Sequence, residues 1–368
     1  MKLKKIVIFF PNFERGGIEK ISLLLSEYFI SKKIKIIFIS FKPLKKIFSN
    51  KNKFFVNINI FKTNSKFLEI ILSIITLSKV LFKLDKSNTV VFSMQNNIIS
   101  IIVAKIFGFK IIIRNSAPID YYKIRNFFSG LVTLCVKIFV YKFSDLIICN
   151  SINSANKIKF FFFLKKKTIS ISNPIEIKKK FKITPKKNII LYIGRLSYEK
   201  GVDRLIDGFD LFLKKKPLFK LFIIGSGNQK NYLIEKVKTK NLLKKVYFIN
   251  WQSDLKEYYL KAKALILPSY FEGFGNVIIE ALNYKLPCIS TNTDGPSEIL
   301  KNGKYGLIIK NNSKNSISNG LFKMANNYNH YKRKAFLGFK ENQRYSLDKI
   351  GFKYLQSIEL VLNKNCYI

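Results

Sequence analysis

The chain has 368 residues, 66 Lys and Arg against 22 Asp and Glu, and a formal net charge of +44. A hydrophobic fraction of 48% excludes a disordered polymer, and the length suffices for two domains with a core each. The cysteines Cys135, Cys149, Cys288 and Cys366 are far apart with no Cys-x-x-Cys pair, so neither a disulfide framework nor a zinc site is indicated and a reducing cytoplasm fits.

In chain order, "KIVIFF" (5–10) is too short for a signal segment and predicts a first strand. Gly16 and Gly17 in "FPNFERGGIEK" follow it and precede a helical pattern over 18–29. Small residues there let amides and a positive helix end approach an anion, and they equally serve a plain strand-to-helix turn. The strands "KIIFIS", "TVVFSM", "KIIIRN", "DLIICN" and "TISIS" come next, with a helical pattern over 67–84 among them. The longest apolar stretches, "FLEIILSIITLSKVLF" and "SGLVTLCVKIFVYKF", are broken by charges, which predicts core or surface-lying helices rather than membrane spans.

Pro174, Pro185 and a lysine run in "SNPIEIKKKFKITPKKN" interrupt the rhythm and predict a linker. The expected domains are 1–184 and 185–345, with a C-terminal helix at 346–368 packing back toward the first. The second half repeats the pattern with "NIILYIGR", "KLFIIGSG", "VYFIN", "ALILPS", "PCIST" and "GLIIK". Alternating strands and helices predict an α/β chain of two Rossmann-like domains, their parallel sheets facing across a cleft that holds the ligand.

Three loops after strands carry candidate chemistry. In "YIGRLSYEKG", Arg195 and Lys200 stand where a guanidinium fork and an ammonium can grip a diphosphate, though any single cation among 66 is by default a solvated one. In "IIGSG", Gly225 and Gly227 open the backbone for a nucleotide, or form a tight turn. In "PSYFEGFGNVIIEAL", Asn276 is expected to cap a helix with Glu280 about one turn inside it. The helix start offers amides to phosphate through Gly275 and Asn276, with Gly273 and Phe274 just before them, while Glu272 and Glu280 accept from hydroxyls. Phosphate plus hydroxyls describes a sugar nucleotide. The competing readings are a first-turn acid favoured by the helix dipole and a solvated loop acid.

Together these residues resemble glycosyltransferase family 4, the retaining enzymes of the GT-B fold. The resemblance rests on Glu272 and Glu280 as its E-x7-E signature, with "YIGRLSYEKG" before, "LPCIS" and "GPSEIL" after, and "GGIEK" near the N-terminus. It implies that Glu280 binds the donor ribose and Glu272 the hydroxyls of the transferred sugar. Arg195 and Lys200 would hold the departing diphosphate, with amides of 274–276 and of Gly16 and Gly17 assisting. The chain departs from the family at Asn250, at Lys285 and near Lys33, where members usually carry Gly. With no Asp-x-Asp pair, no metal is expected, the protein's cations taking that role. His330 lies in the C-terminal helical region and reads as a surface residue. Asp120 in "NSAPIDYY" is the candidate if a side-chain base exists.

Before Asn188 there are 36 basic and 8 acidic residues, against 30 and 14 from there on. That excess, with the aromatics of "YYKIRNFF" and "KIKFFFFLKKK", predicts a peripheral protein on the anionic inner face of the cytoplasmic membrane. The expected reaction moves a sugar from a nucleoside diphosphate, uridine diphosphate favoured, to a glycan or polyprenyl-linked acceptor. A nucleic-acid binder is permitted by charge but opposed by scattered basic residues and the lack of a binding module. A sugar-nucleotide epimerase would want acid and base side chains around the sugar.

Overall fold

Parallel strands covered on both faces need unbroken apolar runs, and the chain supplies them. The structure, a computed structural model, describes residues 2–11, 17–41, 53–116, 127–177 and 185–363. Gly16, Asp120, Cys366 and residues 121–126 of "YYKIRNFF" lie outside that set. The chain divides into two units, Met1–Ile175 with Tyr345–Ile368, and Glu176–Arg344.

In the first unit, seven strands form one parallel sheet: β1 (Lys5–Phe9), β2 (Lys35–Ser40), β3 (Phe55–Asn59), β4 (Thr89–Ser93), β5 (Lys110–Asn115), β6 (Leu146–Cys149) and β7 (Thr168–Ser170). Their order is β3-β2-β1-β4-β5-β6-β7. The sequence reading omits β3, an edge strand whose Asn57 and Asn59 break the apolar run. Helices α1 (Gly17–Ser31) and α13 (Leu347–Leu362) supply the core on one face. Helices α2 (Lys66–Phe82), α3 (Asn97–Ile106), α4 (Phe127–Tyr141) and α5 (Ile152–Phe161) supply it on the other. Buried Arg114 on β5 donates to the Tyr354 hydroxyl of α13 at 3.3 Å and to Asn173 Oδ1, tying the last helix to the sheet.

In the second unit, the strands are β8 (Ile189–Ile193), β9 (Lys220–Ile224), β10 (Val246–Ile249), β11 (Ala264–Leu267), β12 (Cys288–Thr291) and β13 (Leu307–Ile309). They form a parallel sheet ordered β10-β9-β8-β11-β12-β13. Its helices are α6 (Val202–Leu213), α7 (Lys230–Thr239), α8 (Lys256–Lys261), α9 (Asn276–Asn283), α10 (Asp294–Ile299), α11 (Lys314–Asn326) and α12 (Tyr328–Glu341), with His330 exposed on α12. Lys33 and Lys285, two of the places where the resembling family usually has or adjoins Gly, adopt left-handed backbone at φ 61° and 55°. At Lys285 the ammonium lies 4.9 Å from the Phe339 ring centroid, a contact glycine would lack.

Candidate active site

The order of the second sheet sets the site. From β8 the chain winds outward through β9 and β10, then returns to place β11 on the opposite side of β8. Loops leaving β8 and β11 therefore diverge at a topological switch point, the place where open parallel sheets bind ligands. Arg195 and Lys200 are on the first loop, Glu272 and Gly273 on the second, and all lie beyond the carboxyl ends of neighbouring strands.

The first loop is held from beneath. Tyr192, fully buried on β8, donates its hydroxyl to the Arg195 carbonyl at 2.8 Å. Burial, with the negative charges of Glu272 and Glu199 beside it, pushes the Tyr192 phenol up, so it stays a donor. Leu196 exchanges backbone bonds with the β9 loop: its amide donates to Ser226 at 2.9 Å and its carbonyl accepts from Gln229 at 3.0 Å. The Arg195 main chain is thus fixed while its side chain is exposed. A 3-10 turn, Tyr198–Lys200, then ends at Gly201, whose φ of 65° starts α6. A methyl on Gly201 would overlap the Pro268 carbonyl oxygen, so this glycine lets the two loops touch.

That contact is also polar and aromatic. The Tyr270 amide donates to the Glu199 carbonyl at 2.9 Å, and the Tyr198 and Tyr270 rings stack 5.1 Å apart, 8° from parallel. Beside them Lys200 Nζ lies 2.6 Å from Glu272 Oε2, with side chains only 21% and 15% exposed. Sequence reasoning put these two residues on different parts of a ligand. The structure brings them together across 72 positions. The tyrosine latch was missed, and its signal is the repeated Ser-Tyr of Ser197-Tyr198 and Ser269-Tyr270 in the two loops.

Asn276 does not cap α9, contrary to expectation. Gly275 takes the cap position at φ 88°, and Asn276 is the first helical residue, because left-handed backbone turns the chain into the helix where glycine bears it without strain. The Ile278 amide donates back to the Gly275 carbonyl at 2.9 Å, and the positive end of the helix dipole makes this helix start attractive to anions. Glu280 stands one turn inside, and the Tyr259 hydroxyl of α8 donates to its Oε2 at 2.9 Å. Tyr259 is buried and stacks on Tyr284 at 5.2 Å. Burial first, then the Glu280 charge, raises its phenol well above the ordinary range. Tyr259→Phe is expected to cost about 1.5–3 kcal/mol, the range for a hydrogen bond to a charged group. Thermal melts should drop by several degrees.

Behind this pair, Lys186 Nζ donates to the Tyr259 carbonyl at 3.0 Å. Burial, then the Lys332 charge, pulls its ammonium down from 10.5 to about 8. Between those values the unfolded chain holds the extra proton, so stability rises with pH; below about 8 the cost of the buried charge is constant. Lys186→Met is expected to add about 1 kcal/mol at pH 7, allowing for solvent screening, and to flatten the alkaline rise. Melting curves from pH 7 to 10.5 read both.

Gly225 and Gly227 have a packing role in the structure. Methyl groups on them would overlap the carbonyl oxygens of Gly194 and Leu196, so they seat the β9 loop against the β8 loop. Asn250 Oδ1 accepts from Lys230 Nζ at 2.7 Å, and Trp251 is 43% exposed. Gly17 opens α1 and belongs to the first unit. Among the described residues no cluster of three His, Cys, Asp or Glu is placed to hold a metal ion.

Comparison with known proteins agrees with this geometry. The model for glycosyl transferases group 1 matches residues 174–336, which contain every candidate of the second unit. That stretch, a little under half of the chain, carries the family's pattern. An uncharacterized glycosyltransferase of Methanocaldococcus jannaschii is 33% identical over 54% of this chain and 55% of its own length, so the chain spans about half of that relative. The N-acetylgalactosamine-N,N'-diacetylbacillosaminyl-diphospho-undecaprenol 4-alpha-N-acetylgalactosaminyltransferase of Campylobacter jejuni is 28% identical over 79% of this chain and 82% of its own. Among solved structures, Anabaena HepE in complex with UDP-glucose superposes with a TM-score of 0.80 at 16% identity, covering 96% of this chain and 99% of that one. Sucrose-phosphate synthase from Thermosynechococcus elongatus reaches 0.86 at 16% identity, covering 98% and 100%. The chain has the two Rossmann-like units of the GT-B fold.

Proposed function

We propose that the protein is a family 4 enzyme transferring a hexosyl group, with retention, from a uridine diphosphate sugar to a lipid-linked glycan during assembly of a surface polysaccharide such as capsule or lipopolysaccharide. The observation that carries the donor reading is the Lys200–Glu272 pair at the switch point of the second sheet, beside exposed Arg195 and the amide-rich start of α9. As the glycosidic bond breaks, the diphosphate gains negative charge. Lys200 and Arg195 meet that charge more strongly than they meet the ground state, which is what lowers a barrier. Glu272 accepts from hydroxyls of the transferred sugar and Glu280, steadied by Tyr259, from those of the ribose. Protein cations fill the place of a metal ion. The acceptor reading draws on the Campylobacter relative, whose name specifies a diphospho-undecaprenol acceptor, and the base on HepE, solved with UDP-glucose. A lipid-linked acceptor of that kind would call for a peripheral position at the inner face of the cytoplasmic membrane.

A melting panel of uridine, guanosine and adenosine diphosphates and their sugars tests this. The uridine compounds are expected to raise the transition with concentration, by about 2.7 kcal/mol at a hundred times the dissociation constant. Absence of any nucleotide effect, with salt-sensitive retention on DNA instead, would overturn the reading.

A further inference from the structure

The first unit turns an unusually apolar surface to solvent. Helix α3 packs between α2 and α4 over one face of the sheet. Inward residues such as Leu77, Leu81, Ile101, Ala104 and Val140 join the core. A helix with one face in a core ordinarily turns charge outward. Here Leu68, Ile75 and Phe82 of α2, Ile102 and Ile106 of α3, and Val136 and Phe139 of α4 are exposed. On α2 the buried stripe is Ser73, Leu77, Val80 and Leu81, and Leu68, Ile75 and Phe82, seven residues apart, make a second apolar stripe on the opposite face. Soluble monomers seldom leave contiguous apolar surface beyond a few hundred Å².

The charge at the margin identifies what covers it. Lys66 and Lys79 stand on α2, Lys83 follows it, and Lys142 follows α4. The exposed Lys165–Lys167 turn lies after α5, in the same helical layer. Of the nearby acids, Asp145 is already engaged by Lys105 and Lys110 at 2.5 and 3.4 Å. A second copy of the chain meeting this face about a twofold axis would set lysines against lysines. An anionic bilayer offers acyl chains to the centre and phosphates to the rim. No described helix is long and apolar enough to cross it. In "KIKFFFFLKKK", Phe162 is core, packed 5.6 Å from Tyr141, while Phe160, Phe161 and Phe163 are exposed.

We infer that the outer face of α2, α3 and α4 lies in the headgroup region of an anionic membrane, its Ile and Phe side chains reaching the acyl boundary and its lysines the phosphates. The inference deepens the lipid-linked acceptor proposed above and rests on that reading for its purpose. Vesicles carrying no acceptor test it separately.

The full chain would be sedimented with vesicles of phosphatidylethanolamine and phosphatidylglycerol, and with vesicles of phosphatidylcholine alone. Binding to the anionic vesicles is expected, at least tenfold stronger than to the neutral ones. The triple variant Ile75→Asn, Ile106→Asn, Phe139→Ser should lose at least tenfold in partitioning while its melting curve and donor hydrolysis stay unchanged. Equal binding by the variant, equal binding to both lipids, or a vesicle-free dimer that the variant makes monomeric would overturn the inference. Loss of vesicle binding alone would leave donor hydrolysis, and with it the proposed reaction, standing.

Discussion

Lys200→Met is expected to lower kcat for sugar transfer by about 10²–10³ with little loss of fold, the effect typical of removing one fixed donor aimed at developing charge. The ammonium is held 2.6 Å from Glu272 and mostly screened from water, so its position is set before a donor enters. Glu272→Gln should also impair turnover, by removing both a sugar acceptor and the charge that orients Lys200. Because the two side chains act as one unit, the double variant should cost less than the two single effects multiplied. A cycle of steady-state rates, each variant checked by thermal melting, measures this. Partly exposed ion pairs contribute about 1 kcal/mol or less to stability, so large kinetic losses beside small melting shifts are the expected signature. Turnover within threefold of wild type in Lys200→Met would make the pair a structural fastening between two loops.

The reason this pair could not be read from the sequence is also the reason the fold could. Buried parallel strands announce themselves locally: "NIILYIGR" and "ALILPS" are apolar without interruption, and both strands appear where those runs lie. Their exposed edge counterpart β3 does not, since Asn57 and Asn59 make it resemble a loop. Charged partners are chosen by topology. The loop after a strand singles out Lys200 and Glu272 one at a time, and only the placement of β11 beside β8 brings them together. Tyr259 is hidden in the same way, on a six-residue helix whose tie to Glu280 spans 21 positions. At the start of α9 the side-chain logic of a capping Asn gave way to backbone geometry, which only the φ of Gly275 reveals. The outer stripe of α2 failed to register for a different reason. Helical period shows that a face is apolar, and whether protein, water or lipid lies against it is not encoded in spacing.

Gly225→Ala is expected to unfold the second unit, or to lower its melting temperature by more than 10 °C. Two costs combine at this residue. Its φ of 151° lies where side-chain-bearing residues are strained, and the added methyl would overlap the Gly194 carbonyl oxygen. Neither strand end has room to yield: the Gly225 amide is bonded to Ile249 at 3.0 Å and the Gly194 amide to Ile224 at 3.0 Å, so separating them breaks the ladder joining β8, β9 and β10. A loss above about 4 kcal/mol is a large share of the 5–15 kcal/mol that holds a typical domain, and each kcal/mol is worth about 2–4 °C at this size. Gly303→Ala provides the control, because its φ is 99° while the nearest atom to its methyl would be 3.9 Å away. It should cost only the backbone strain, about 1–3 kcal/mol. The difference between the two melts isolates the steric contribution. A glycine kept chiefly for ligand approach would instead lose nucleotide affinity with its melting temperature unchanged, and that outcome would return Gly225 to the binding role its sequence position first implied.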